Sequence, residues 1–244
     1  MIAAAPLSPA GAKNSKALTV ATYNLNAGMA GNASTMRALE AIDAAVIFLQ
    51  ESSAGWERVS RRRLGGRDPH RAFEVRRQPW GSLGVLSKMP FDHHSIAAKS
   101  GPFPAWLVEL ETARGPLRVL NVHLFPPVRW FARLGWMKAY AESQKVHERE
   151  LKEHFARAKS PPDLVVGDFN EDLLGRGMRW LEKRGFHSAM RKRTNTWRWK
   201  TRIGTIRWPL DHVMLGKGWK AVRARVLDTG SSDHLPVVVT LSRR

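Results

Sequence analysis

Short apolar runs that each end in, or open on, an acid, an amide or an imidazole organise this chain. Ala17 to Leu25 is one, with Asn24 and Asn26 at its end, and Ala45 to Gln50 leads straight into Glu51. Leu117 to Leu124 carries His123 near its end, and Leu164 to Gly167 leads into Asp168 and Asn170. Asp211 and His212 open the run to Leu215, and Asp233 and His234 precede Val237 to Leu241. Near-continuous apolar runs of this length are expected of strands buried on both faces. Polar groups at their ends stand where loops leave the scaffold, which is where α/β sheets collect ligands.

Amphipathic stretches separate the runs. The pattern predicts helices from about Ala33 to Ile42 with Asn32 as N-cap, from Met137 to Ala158 before Pro161-Pro162, and from Leu173 to Arg184 before Gly185. Leu83 to Ser87, Ala105 to Glu111 and Val222 to Leu227 read as further strands, with Thr112 to Gly115 as a hairpin-type turn. Connections of both kinds imply α/β sheets covered by helices. In 244 residues of 43% hydrophobic content, one domain over residues 17–244 is expected, behind a flexible arm at 1–16.

Composition excludes some chemistry and favours other. No cysteine is present, so thiol catalysis, disulfides and thiolate metal sites are ruled out. Runs such as Ala44 to Leu49 are too short to cross a bilayer, and no signal-peptide-length stretch opens the chain. A cytoplasmic monomer is the expectation, with secretion as the alternative. Forty Lys and Arg against 21 Asp and Glu give a net charge of +19, which attracts polyanions: nucleic acid first, an anionic membrane surface second.

Carboxylates gathered with amide oxygens suit a hard cation such as Mg²⁺, and no HExxH pair argues for zinc. Taken singly, each polar residue has an ordinary explanation as a turn, an N-cap or a hydrogen-bonded pair. Their weight lies in occurring together, in order, each beside an apolar strand.

That order carries a resemblance. The series Thr22-Tyr23-Asn24, Leu49-Gln50-Glu51, Gly84-Val85-Leu86-Ser87-Lys88, Asn121-Val122-His123-Leu124, Gly167-Asp168-Phe169-Asn170, Asp211-His212-Val213 and Ser232-Asp233-His234-Leu235-Pro236 resembles the exonuclease/endonuclease/phosphatase (DNase I-like) superfamily over nearly the whole chain. The resemblance implies a four-layer α/β sandwich, two mixed β-sheets packed face to face with helices outside. It also implies metal-dependent phosphodiester hydrolysis by in-line attack of an activated water.

By that resemblance Glu51 is the main ligand of Mg²⁺, or alternatively Mn²⁺, with Asn24 and Asp233 near the same ion. Asp168 positions and deprotonates the water, and Asn170 holds the phosphate or orients Asp168. Asp211 fixes the tautomer of His234, and His123 donates to a non-bridging oxygen or to the leaving group. The Asp211–His234 pair is the rival general base. Asn26 is a candidate substrate contact; it stands where the abasic-site branch carries Asp, and that branch has Tyr where this chain has His123. His212 reads as a structural or rim residue.

Two basic segments bear on substrate. Lys183 to Leu210 holds nine Lys or Arg and no acid, with Trp197, Trp199 and Trp208 among them. Arg193, Arg198, Lys200, Arg202 and Arg207 are candidate phosphate contacts, and Trp197 and Trp199 candidate stacking platforms. Arg58 to Arg77, with eight arginines, could form a second wall. These features favour a low-specificity nuclease acting on DNA or RNA. An enzyme of phospholipid or inositol-phosphate headgroups is the alternative, to which Trp130 and Trp136 would suit a lipid-touching loop.

Overall fold

The structure, a computed structural model, describes residues 17–74, 76, 79–113, 115–126, 135–190 and 192–244. The expected arm at 1–16 and Trp130 lie outside the described residues, as does the side chain of Trp136. One six-stranded sheet comprises β1 (Leu18–Asn24), β2 (Val46–Gln50), β3 (His70–Phe73), β4 (Leu83–Ser87), β13 (Trp219–Val226) and β14 (Val237–Arg243), in the order β13-β14-β1-β2-β4-β3. The other comprises β5 (Phe91–Ile96), β6 (Ala105–Thr112), β7 (Gly115–His123), β8 (Leu164–Asp168), β9 (His187–Ser188) and β12 (Asp211–Leu215), in the order β5-β6-β7-β8-β12-β9. A separate hairpin is formed by β10 (Trp197–Thr201) and β11 (Gly204–Trp208). The helices are α1 (Ala33–Ala41), α2 (Ala54–Leu64), α3 (Trp136–Arg157) and α4 (Arg176–Glu182).

Strand alternation distributes the core. Val20, Val46, Phe48, Val119, Val166, Val213 and Val237 point between the sheets and form one apolar cluster. Their chain neighbours Ala21, Ile47 and Val238 face outward and pack with Met36, Leu39 and Trp56 of α1 and α2. Val122, Val165 and Met214 do the same against Leu151 of α3 and Met178 and Leu181 of α4. Three apolar layers thus bind four structural layers, the α/β sandwich expected. The central strands are buried on both faces, which explains runs such as Val-Ile-Phe-Leu with no polar break.

Register brings the polar strand ends to one edge. β1 and β2 are parallel, with Asn24 opposite Gln50; β7 and β8 are parallel, with His123 opposite Asp168. β12 runs antiparallel to β8 and begins where β8 ends, so Asp211 faces Asp168. Gly167 makes this approach possible. Its φ is +136°, and a Cβ there would lie 1.9 Å from the carbonyl oxygen of Val122.

One expectation is corrected, and a second is met only in part. The helix expected from Leu173 begins at Arg176 because Asp172 folds the chain into a turn, its Oδ1 accepting from Leu174 N and its carbonyl from Gly175 N. Among the described residues, the Arg58 to Arg77 segment approaches the His123 side only near its end, where Arg76 Nη1 donates to the Pro102 carbonyl (3.4 Å) next to Phe103, and Arg77 lies outside the described residues. The segment begins inside α2, which leaves the Glu51 end of β2 and runs away from it, and Arg61, Arg62 and Arg63 occupy the last turn, about 10–15 Å along the axis. Arg61, Arg63, Arg67 and Arg76 form ion pairs with Glu57, Glu40, Asp68 and Glu74.

Candidate active site

Period-two alternation continues past the apolar core and delivers the site in tiers. Above Val20, Phe48 and Val119 on the inner faces come Thr22, Gln50 and Asn121, all buried. Gln50 Nε2 donates to Asn121 Oδ1 (2.7 Å) and Thr22 Oγ1 (3.0 Å), and Asn121 Nδ2 donates to the Leu49 carbonyl (3.3 Å). This amide tier ties the two sheets together directly beneath the strand ends. Sequence reasoning missed Gln50 and Asn121 as site supports, although their parity with Asn24 and His123 was there to be counted.

The next inward residues are Asn24, His123 and Asp168. Asn24 Nδ2 donates to Glu51 Oε1 (3.1 Å) and to Asp168 Oδ2 (3.0 Å), linking the sheets again. Asp168 Oδ1 accepts from Asn170 N (2.9 Å). Asn170 Nδ2 donates to the Leu124 carbonyl (2.8 Å), so this side chain braces the loop. Glu51 Oε2 accepts from Ala27 N (3.2 Å). His123 Nε2 lies 3.5 Å from Asp168 and 3.9 Å from Glu51, and its ring stacks on Phe103 with centroids 4.8 Å apart.

The Ser232-Asp233-His234 loop closes the other side. Ser232 Oγ donates to the Asn24 carbonyl (2.8 Å). Asp233 is gripped by Asn26 Nδ2 on Oδ1 (3.2 Å) and by Trp197 Nε1 on Oδ2 (2.9 Å). His234 Nδ1 bonds both oxygens of Asp211 (3.0 and 2.9 Å), and its Nε2 points at Asp168, 3.6 Å away. Ligand atoms of Asp168, Asp211 and His234 all fall within 4.8 Å of one another.

Electrostatics sort these groups. Burial raises the Asp168 carboxyl, with His234 and His123 pulling it down only in part. Burial alone would depress His234, but the Asp211 and Asp168 carboxylates raise it well above the ordinary range, favouring its protonated form. Burial lowers His123, against the opposing pull of Asp168, which leaves a neutral imidazole. Burial raises Glu51, which no Lys or Arg pairs with among the described residues. Its side chain remains 18% exposed, so a cation can reach it, and a buried carboxylate without a fixed counter-charge fits a divalent metal.

Among the described residues, the non-glycine positions at positive φ are Asn26 (51°), Glu51 (52°) and Asn170 (51°). All three belong to the predicted site. Asn tolerates the left-handed region, but Glu does so at a cost of about 1–2 kcal/mol. Strain held at three strand exits is characteristic of positions that aim a functional side chain.

The remaining predicted residues fall outside this cluster. Arg193 pairs with Asp172 (3.3 Å), and Arg198 with Asp228 (2.6 Å) and the Gly230 carbonyl (2.8 Å), so both cations are engaged within the protein. Trp199, Lys200, Arg202 and Arg207 sit exposed on the β10–β11 hairpin. His212 is buried, its Nε2 bonding the Glu171 and Pro209 carbonyls (2.9 and 3.1 Å), which makes it structural and not a rim residue.

A second buried network, unread from the sequence, supports the exits of β7 and β8. Phe125 N donates to Glu150 Oε2 (3.0 Å), while His147 bonds the Phe125 carbonyl through Nε2 (2.7 Å) and Glu171 Oε2 through Nδ1 (3.1 Å). Both ring nitrogens of His147 face acceptors, so it is held as imidazolium; burial opposes this, and Glu171 overcomes it. Burial pushes the Glu150 carboxyl up to about 7, with His147 opposing. Glu150 Oε1 has no hydrogen-bond partner among the described residues and abuts Gly101.

This network predicts a pH signature. Glu150 has a folded pKa above its unfolded value, so its contribution is present below about 4.5 and lost as pH rises towards about 7. His147 acts with the same sign at higher pH, and His154, lowered to about 4 by burial, opposes on the acid side. Glu150→Gln should therefore melt higher than wild type at pH ~8, by on the order of 1–3 kcal/mol, and show no such gain at pH ~5. Equal gains or losses at both pH values would remove Glu150 as the cause.

Residues 21–234 match the Endonuclease/Exonuclease/phosphatase family. Comparison with curated proteins gives no match. Among solved structures, Danio rerio TDP2 complexed with single strand DNA product superposes with a TM-score of 0.68 at 14% identity, covering 93% of this chain and 99% of that one. Sphingomyelinase C from Streptomyces griseocarneus gives 0.67 at 18% identity over 92% and 99%. An endonuclease/exonuclease/phosphatase from Beutenbergia cavernae DSM 12333 gives 0.68 at 17% identity over 93% and 72%. At these identities the likeness is one of fold.

Proposed function

Since the chain belongs to the endonuclease/exonuclease/phosphatase family, whose members are phosphoesterases that use divalent metals, we propose that it is a Mg²⁺-dependent nuclease of low sequence specificity. The observation that carries this reading is the convergence of Glu51, Asp168, His123 and the Asp211–His234 pair on one solvent-reachable edge, in a chain of net charge +19. Solved neighbours of similar fold include both Danio rerio TDP2 with a single-strand DNA product and a sphingomyelinase C, so the preference for nucleic acid rests on the charge.

Hydrolysis requires an aimed water and a neutralised pentacovalent phosphorane. Glu51, with Asn24 and Asp233 beside it, would hold the cation, which supplies charge neutralisation and orients the phosphate. Asp168 is the general base: its raised pKa brings it towards the operating pH, and its geometry is locked by Asn24 and Asn170. In this reading the rival, the Asp211–His234 pair, is the weaker base, because the Asp211 and Asp168 carboxylates raise His234 and favour its protonated form. Protonated His234 serves as a fixed positive charge facing the transition state, with Asp211 as its anchor. Neutral His123 donates a hydrogen bond to a phosphate oxygen. Asn170 orients Asp168 through its backbone N–H, and its side-chain bond to the Leu124 carbonyl favours this role over holding the phosphate.

The test is cleavage of plasmid and oligonucleotide by purified protein with Mg²⁺, Mn²⁺ or EDTA, alongside sphingomyelin vesicles and inositol phosphates. Metal-dependent cleavage of nucleic acid that falls steeply with added salt is expected, since each phosphate contact releases counterions. Hydrolysis of the lipid or inositol phosphates, with nucleic acid untouched at low salt, would replace the nuclease reading.

A further inference from the structure

We propose that the β10–β11 hairpin is a docking surface for the unpaired bases of single-stranded nucleic acid, leading the strand to the site; this rests on the nuclease reading. The hairpin joins neither six-stranded sheet and is tied to the site loop at its inner end only, among the described residues, by the Trp197–His234 bridge and by bonds from Trp197 and Arg198 to Asp233, Asp228 and Gly230. An isolated two-stranded ribbon is marginal in water, and exposed apolar surface on one calls for a partner.

Its two faces differ in chemistry. The cross-strand pairs Trp197–Trp208 and Trp199–Ile206 share one face, and Arg198–Arg207 and Lys200–Thr205 share the other. At the inner end Trp197 is fixed to Asp233, and Trp208 packs on Tyr140 with centroids 5.1 Å apart. Two residues further out, Trp199 is 57% exposed and Ile206 45% exposed. An apolar face therefore begins at the site's own carboxylate and runs outward. Lys200, Arg202 and Arg207 are exposed and form no ion pair among the described residues.

Single-stranded nucleic acid matches this arrangement. Unpaired bases offer flat faces to an indole, while Arg202 at the tip and the long Lys200 and Arg207 side chains of the opposite face can reach backbone phosphates around the edge of the blade. A duplex buries its base faces and would set hydrated phosphates against Trp199 and Ile206, at a desolvation cost. A membrane anchor would concentrate apolar residues at the tip, where Ile203 stands alone between Arg202 and Gly204.

The experiment is fluorescence anisotropy in EDTA with a short labelled oligonucleotide, as single strand and as duplex. Wild type should bind the single strand more tightly. Trp199→Ala should weaken single-strand binding on the order of tenfold, the loss expected for one stacked base, so the single-strand-to-duplex ratio falls by that factor. Trp199→Phe should restore most of it. Equal affinity for both forms in wild type, or a ratio indifferent to Trp199→Ala, would overturn the proposal. So would a Trp199 effect confined to phosphatidylserine vesicles, which would assign the blade to membrane. Adding Mg²⁺ separates the two levels: a Trp199-dependent ratio with no cleavage keeps the hairpin and removes the nuclease.

Discussion

Asp168→Asn should lower kcat/KM for phosphodiester cleavage by about 10²–10⁴-fold, the range for loss of a positioned base, while the fold persists. Both oxygens of Asp168 accept fixed donors, Asn24 Nδ2 and Asn170 N. In the variant one amide nitrogen must face one of these donors, at a cost of about 1–3 kcal/mol. Removing a buried charge whose pKa burial has raised offsets that cost. A melting temperature near wild type beside a nearly dead enzyme is the expected pair of readings. The imidazolium of His234 loses an anionic neighbour in the same variant, so its pKa, followed by NMR, should fall. Activity within tenfold of wild type would move the base elsewhere.

The second large effect concerns the cation. Wild type should melt higher in Mg²⁺ or Mn²⁺; at about 100 times Kd the gain is about 2.7 kcal/mol, or roughly 5–10 °C for a chain of this size. Glu51→Gln should abolish that shift together with metal-dependent activity. Without metal the sign reverses. A carboxyl raised above its unfolded pKa contributes stability only at acid pH and loses it as pH rises, so the neutral Gln should match or exceed wild type near neutrality. Differential scanning calorimetry with and without ion reads both. An undiminished metal shift in Glu51→Gln would assign the ion to the neighbouring Asp168, Asp211 and His234 cluster.

Much of the fold was legible because strand alternation is local. Val20, Thr22 and Asn24 share parity, as do Val119, Asn121 and His123, and Leu164, Val166 and Asp168. An apolar run with a polar residue of the same parity at its end already says that the polar group continues the inward face. The elements that escaped reading are those whose cues are weak or shared. The helix after Ser53 carries many arginines, and β5 and the hairpin are largely exposed, so hydrophobic periodicity barely marks them. Charge is coarse for a related reason: composition counts arginines, and cannot tell Arg61, Arg63 and Arg67, held by Glu57, Glu40 and Asp68, from those free to meet a phosphate.

By itself, then, the sequence determined which residues are polar strand ends, which parity they share, and that seven motifs follow one family's order. Tertiary structure alone decided which ends meet. Asn24 bonds Asp168 across 144 residues, Asn26 bonds Asp233 across 207, and Trp197 reaches the same Asp233 from a hairpin. Pairings of that separation depend on sheet register and on the packing of one sheet against another. Their energy comes from burying three apolar layers at once, and no local run of residues encodes which strand will lie opposite it. The same holds for the left-handed turns at Asn26, Glu51 and Asn170, whose strain persists because the packed sheets around them over-determine it.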